Sequence, residues 1–255
     1  MNPYRFVIIP DPVRGVFGGG GSPDSNVMDY IDISTLGDAT DFGDLTVARR
    51  AASGVNSDVR GVFCGGENEG RKDVMDYITI ATTGNATDFG DLSTVRRETA
   101  GVSSDVRGVI GGGYTAGSLT TMDYITIATT GNSLFFGNLT IAKNAPAGCE
   151  SDTRGIFYAG GTWESDVIDY ITIATTGNAT DFGNAMSSIG DATAISSTTR
   201  GVVGGIWGTN RMEYITIATT GNALDFGDML AITVVWLEYH LILEVYLEGV
   251  LIHLT

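Results

Sequence analysis

The chain has 255 residues, 43% of them hydrophobic, and a formal net charge of −16, which is enough for a sizeable β domain with a buried core. So acidic a chain lacks the basic footprint of a nucleic-acid binder. Two cysteines, Cys64 and Cys149, and two histidines are too few and too scattered for a disulfide framework or a zinc cluster.

In chain order, the N-terminus offers only four apolar residues, Phe6 to Ile9, before Pro10. That is too short for the core of a signal peptide, and none is expected. From Arg14 the chain becomes periodic. An Arg-Gly-Val/Ile triplet begins at Arg14, Arg60, Arg107, Arg154 and Arg200, at spacings of 46, 47, 47 and 46 residues. A second anchor, acid-Tyr-Ile, begins at Asp29, Asp76, Asp123, Asp169 and Glu213. A third, Phe-Gly followed by an acid or amide, begins at Phe42, Phe89, Phe136, Phe182 and Phe226.

Each unit predicts four short strands. The first is a small-residue stretch such as Gly101–Ser104, and the second follows the arginine, as in Gly61–Gly66. The third, Asp76–Thr82, is rich in β-branched residues that suit a pleated surface. Thr83-Gly84-Asn85 then supplies a turn, because Gly and Asn tolerate positive φ, and Ala86–Phe89 is the fourth. No stretch within the repeats has an apolar period near that of a helix. Four strands in about 47 residues fit one propeller blade. The expected fold is therefore all-β: five four-stranded blades over residues 1–228, forming a closed propeller or an open arc. Such a blade has two apolar faces and needs neighbours on both, so the recurring Tyr and Phe anchors are expected to be buried between blades.

The pattern resembles the kelch family. The matching features are the Gly pairs at Gly19, Gly65, Gly112, Gly160 and Gly204, the Tyr-centred strand, and a basic residue before the next unit: Arg49, Arg96 and Lys143, with Ile189 in the fourth copy. The family's usual Trp is Phe here. The resemblance covers about residues 14 to 228 and implies a propeller with a binding or structural role. The run Tyr77–Leu92 is more particular: it is similar to repeats in virion structural and tail-fibre proteins of marine tailed phages, including cyanophages. That similarity implies a virion part assembled in the host cytoplasm, in contact with a host-surface glycan or protein or with other virion proteins. A cellular kelch-type scaffold for protein partners is the alternative, and a glycan-active propeller enzyme a more remote one.

The residues offer little chemistry. Both histidines, His240 and His253, lie outside the repeats, so no repeat holds a Ser-His-Asp or Cys-His arrangement. The same absence argues against the copper-radical oxidases built on kelch-like propellers, which need two His ligands. The register acids Asp29, Asp76, Asp123, Asp169 and Glu213 are expected to serve turns and backbone hydrogen bonds. Ca²⁺ is the one cofactor that they leave open. No catalytic pair breaks their symmetry, and the chain is expected not to be an enzyme.

Variation concentrates between the Gly pair and the acid-Tyr anchor. Constant scaffold with variable loops is how binding surfaces are built. The candidate binding residues are Glu67, Asn68, Tyr114, Trp163, Glu164, Trp207 and Asn210, on loops expected to emerge exposed on one rim, with Trp163, Trp207 and Tyr114 suited to stacking on sugars or anchoring a partner.

After Asp228 the pattern fails: where the second unit continues with Leu92–Arg97, the fifth gives Met229–Val234. A single lost base after Asp228 accounts for the change, because an alternative frame over Trp236 to Gly249 permits a segment like Ala100–Val109. Residues 229–255 are thus expected to be an aberrant apolar tail, a frameshifted sixth repeat that packs poorly and carries no function. Its apolar run, Val234–Leu254, contains Glu238, Glu244 and Glu248, so no membrane span is expected.

Overall fold

The computed structural model describes residues 14–21, 23–160, 165–190, 192–206 and 208–230, together with the strands Ile242–Leu247 and Val250–Leu254. The described residues contain strands and turns and no helix. The first unit supplies β1 (Arg14–Gly18), β2 (Val27–Asp32) and β3 (Thr40–Asp44). The second supplies β4 (Ser53–Asn56), β5 (Arg60–Cys64), β6 (Val74–Thr79) and β7 (Thr87–Asp91). The third gives β8 (Ala100–Ser103), β9 (Arg107–Gly111), β10 (Leu119–Thr126) and β11 (Leu134–Lys143). The fourth gives β12 (Ala147–Glu150), β13 (Arg154–Tyr158), β14 (Val167–Thr172) and β15 (Thr180–Asn184). The fifth gives β16 (Thr193–Ser196), β17 (Arg200–Gly204), β18 (Arg211–Thr216) and β19 (Leu224–Asp228). Within each unit the strands pair antiparallel in sequence order, giving a five-bladed β-propeller of four-stranded blades.

Among the described residues the first unit has no inner strand of its own. That place is taken from the other end of the chain by β20 (Ile242–Leu247), which pairs with β1 and puts Val245 opposite Gly15. β21 (Val250–Leu254) pairs with β20 on one side and with β16 on the other. The first and fifth blades thereby become one nine-stranded sheet, joined edge to edge.

Four joints between successive blades are built alike. The Phe of one blade is covered by the next: Phe42, Phe89, Phe136 and Phe182 are each 2–3% exposed. The β6–β7 turn of the second blade donates to the first through Gly84 N to Phe42 O (2.7 Å) and Ala86 N to Asp44 O (2.8 Å), and the next three joints repeat these bonds. The triplet arginine completes the joint. Arg60 lies 4.2 Å above the Tyr77 ring of its own blade and donates to Ile127 O of the next at 3.0 Å. One guanidinium thus makes a cation–π contact within its own blade and a hydrogen bond to the next.

The tyrosine anchors therefore occupy a different place from the one expected. They are half-buried rather than buried between blades. Each meets its own blade's Phe edge-on, as Tyr77 and Phe89 do at 6.1 Å, and its outer surface is capped by arginine. The strands also shift: β6 runs 74–79 against an expected 76–82, and β7 runs 87–91 against 86–89.

Candidate functional site

The register acids accept backbone hydrogen bonds, as expected, Asp76 from Thr46 N at 3.3 Å and Asp123 from Ser93 N at 3.1 Å, but they also pair with basic side chains, which was not expected. A register shift falls between Met75 and Asp76, and between the equivalent residues of every other unit. Such bulges re-aim a side chain, and here the acid points into the preceding blade. Asp76 is fully buried and paired with Arg49 at 2.6 Å, and it also accepts from the Thr46 hydroxyl. Asp123 pairs with Arg96 at 2.6 Å, and Asp169 with Lys143 at 3.2 Å. Burial brings the Lys143 ammonium down to about 8, against the opposing pull of Asp169. The fourth joint lacks its cation because Ile189 stands there, and the fifth blade replaces it from within: Glu213 accepts from Arg211 Nη2 at 2.6 Å, from Met186 N at 3.0 Å and from the Tyr158 hydroxyl. These four acids are counterions consumed by the scaffold, and the Ca²⁺ reading loses them as ligands. Asp29 alone is half-buried, with no cationic partner among the described residues.

The antiparallel order of strands sends the described residues of the β5–β6 type loops to one face of the disc. On that face the described residues form a chain of contacts across blades. Arg50 bonds Asp24 (2.6 Å) and Glu67 (2.9 Å), and Glu67 also accepts from Arg97 (2.9 Å). Arg71 and Arg97 lie 5.1 and 5.5 Å from the Tyr114 ring. Glu67 and Tyr114 are thus half-buried struts rather than free contact groups. Asn68 donates to Ala48 O at 2.7 Å, and Asn210 to Met229 O at 3.2 Å. The exposed tips are Glu69-Gly70, Ala116-Gly117 and Gly208. Trp163, Glu164 and Trp207 lie outside the described residues.

The opposite face holds a feature that sequence reasoning missed. An axial depression of about 310 Å³ is lined by Asn56, Ser103, Glu150 and the turns after them, including Asp105 and Asp152. The last residues of the inner strands form a staircase around it: Asn56 N donates to Ser103 Oγ (3.4 Å), Ser103 N to Glu150 Oε1 (3.0 Å), and Glu150 N to Ser196 Oγ (3.2 Å). Burial pushes the Glu150 carboxyl up to about 8. Asp105 is raised by its own partial burial and by repulsion from Asp58 and Asp152. The signal was present as Ser/Asp-rich turns at a fixed place in each unit, but turn chemistry explains such residues equally well. Cys149, beside Glu150, is fully buried, and burial pushes its thiol far above the range where a nucleophilic thiolate forms. Among the described residues no group of three or more His, Cys, Asp or Glu could hold a metal ion.

Fold and site together define a β-propeller repeat protein in which four of the five register acids belong to the joints and the described variable residues lie on one face. No protein-family model matches the chain, and no curated protein matches it. Among the described residues no helix is long and apolar enough to cross a membrane.

Proposed function

We propose that this propeller is a non-catalytic structural and binding module of a phage virion, part of a tail fibre or related appendage. Its variable loops meet a host-surface glycan or protein, or another virion component. The observation that carries this reading is the division of labour between joint and loop. Three of the recurring acids are held in fully buried pairs with basic residues across a joint, and Glu213 is buried against a partly exposed Arg211 of its own strand, so the freedom to vary lies in the β5–β6 loops. The virion assignment rests on the likeness of the Tyr77–Leu92 wording to tail-fibre repeats.

Trp163→Ala and Trp207→Ala test the binding face. The expected result is loss of binding to intact host cells or to a glycan panel, with the thermal midpoint within about 2 °C of the parent, since surface changes are nearly neutral. A sharp fall in the midpoint, or binding that survives both changes, overturns the role of these loops. Turnover of any glycan in an activity screen, with or without Ca²⁺, overturns the non-catalytic reading.

A further inference from the structure

The joint that closes the circle is unlike the other four. Phe226 is 46% exposed, whereas its four equivalents are 2–3% exposed. Ile195 is 38% exposed, against 0–1% for Val55, Val102 and Cys149 at the same place. Val202, Met212 and Met229 are half-buried where the other blades bury them. Arg200 stacks on Tyr214 at 4.6 Å, as every triplet arginine stacks on its tyrosine, but is exposed, with no carbonyl of a next blade to bond among the described residues. Gly227 keeps its positive φ of 129°, yet where the next blade's turn passes within 2.5 Å of a Cβ at Gly43, Gly90, Gly137 and Gly183, it meets nothing within 4 Å. The fifth blade thus carries the receiving half of a joint that no described residue fills.

On the first blade no described residue covers the delivering half as the internal joints are covered. Phe17 and Ile31 are half-buried where Phe63 and Ile78 are 4% exposed, and the turn with Gly37 and Asp38 stands exposed. Superposing the joint rule puts Gly37 N on Phe226 O, Ala39 N on Asp228 O, an Asp38 carboxylate oxygen on Asp228 N, and Ile33 O under Arg200. Within one chain the edge-to-edge link through β20 and β21 holds the two blades in a continuous sheet rather than face to face.

We propose that the uncovered face of the fifth blade docks the uncovered first blade of a second copy of this chain, head to tail. Such an interface is heterologous: it closes when two copies satisfy each other reciprocally and otherwise extends. It is weaker than the internal joints, because the position equivalent to Arg49 is Thr233 in the sequence and Asp29 gains no cation there.

Sedimentation velocity on the full chain tests this, with Phe226→Asp on the receiving face and Ile31→Lys or Asp38→Lys on the delivering face. The parent should associate as concentration rises. Each variant alone should lose association on the order of thirtyfold or more, as expected for a central apolar anchor. A mixture of Phe226→Asp with a delivering-face variant should recover a one-to-one dimer that grows no further, since each partner retains the half that the other lacks. Circular dichroism identical to the parent certifies folding, and Asp38→Lys, on an exposed turn, replaces Ile31→Lys if that variant unfolds. A parent that stays monomeric at high concentration, association that survives these changes, or a mixture that fails to pair overturns the proposal.

Discussion

Asp123 and Arg96 sit 2.6 Å apart with no exposure to solvent, so each is the other's main compensation for lost hydration. Removing one partner strands a buried charge, whereas replacing both with apolar groups is far cheaper. Asp123→Ala should lower unfolding free energy by about 3–5 kcal/mol, and Arg96→Met combined with Asp123→Leu should recover most of that loss in denaturant titrations. Equal losses for the single and double changes would show that the pair is not a unit. Glu150 poses the opposite case. Its folded value near 8 lies above its ordinary 4.5, so the folded state holds the proton more tightly. The stability that it contributes is complete below about 4.5 and is lost as pH rises through about 8. The thermal midpoint of the parent should therefore fall across that window, and Glu150→Gln should flatten the fall. An unchanged slope in the variant would place the pH dependence elsewhere.

At the scale of the element, the inner strands are small-residue segments because neighbouring backbones touch. A Cβ added at Gly101 would come 1.9 Å from Gly54 O, and one at Gly148 would come 2.5 Å from Gly101 O. Gly101→Ala should cost about 1–3 kcal/mol as overpacking, while Gly37→Ala, with open space around it, should change stability by less than about 0.5 kcal/mol. Chemical denaturation of both variants measures the difference. These elements were legible in the sequence because period and turn chemistry are local. The four strands of each of the second to fifth units, their order and the turn at Gly84 follow from three anchors in register. The pairing of Arg49 with Asp76 was not legible: both residues were anchors, but 27 positions and a blade boundary separate them, and only the bulge before Asp76 decides which neighbour the carboxylate faces. The axial depression escaped for a related reason, since it is made of one turn from each of several units.

For the whole molecule, stability should follow the number of neighbours that a blade has, because in stacked repeats each unit is held chiefly by its flanks. The described residues cover the second, third and fourth blades on both faces, and the fifth on one. Amide exchange measured by mass spectrometry at low protein concentration should be faster in β18 and β19 than in β10 and β11, in line with local opening from the less-buried end. Equal protection would mean that the β20–β21 link alone makes the disc cooperative.

The fourth joint carries a further consequence, for the order of the units. With Ile189 and Tyr158 on one side and Arg211 and Glu213 on the other, its two halves are keyed to each other and to no other pair of units. Transplanting the third blade behind the fourth would set Asp123 against Ile189 with no cation in reach. Transplanting the fifth behind the second would crowd Arg96 and Arg211 around one carboxylate. The first three joints share a common gauge, so duplication or exchange among those units preserves every buried pair. The fourth has a gauge of its own, and recombination across it is penalised by electrostatics alone. A repeat array of near-identical modules thereby acquires a fixed end, and growth by unit duplication is confined to the stretch before Ile189.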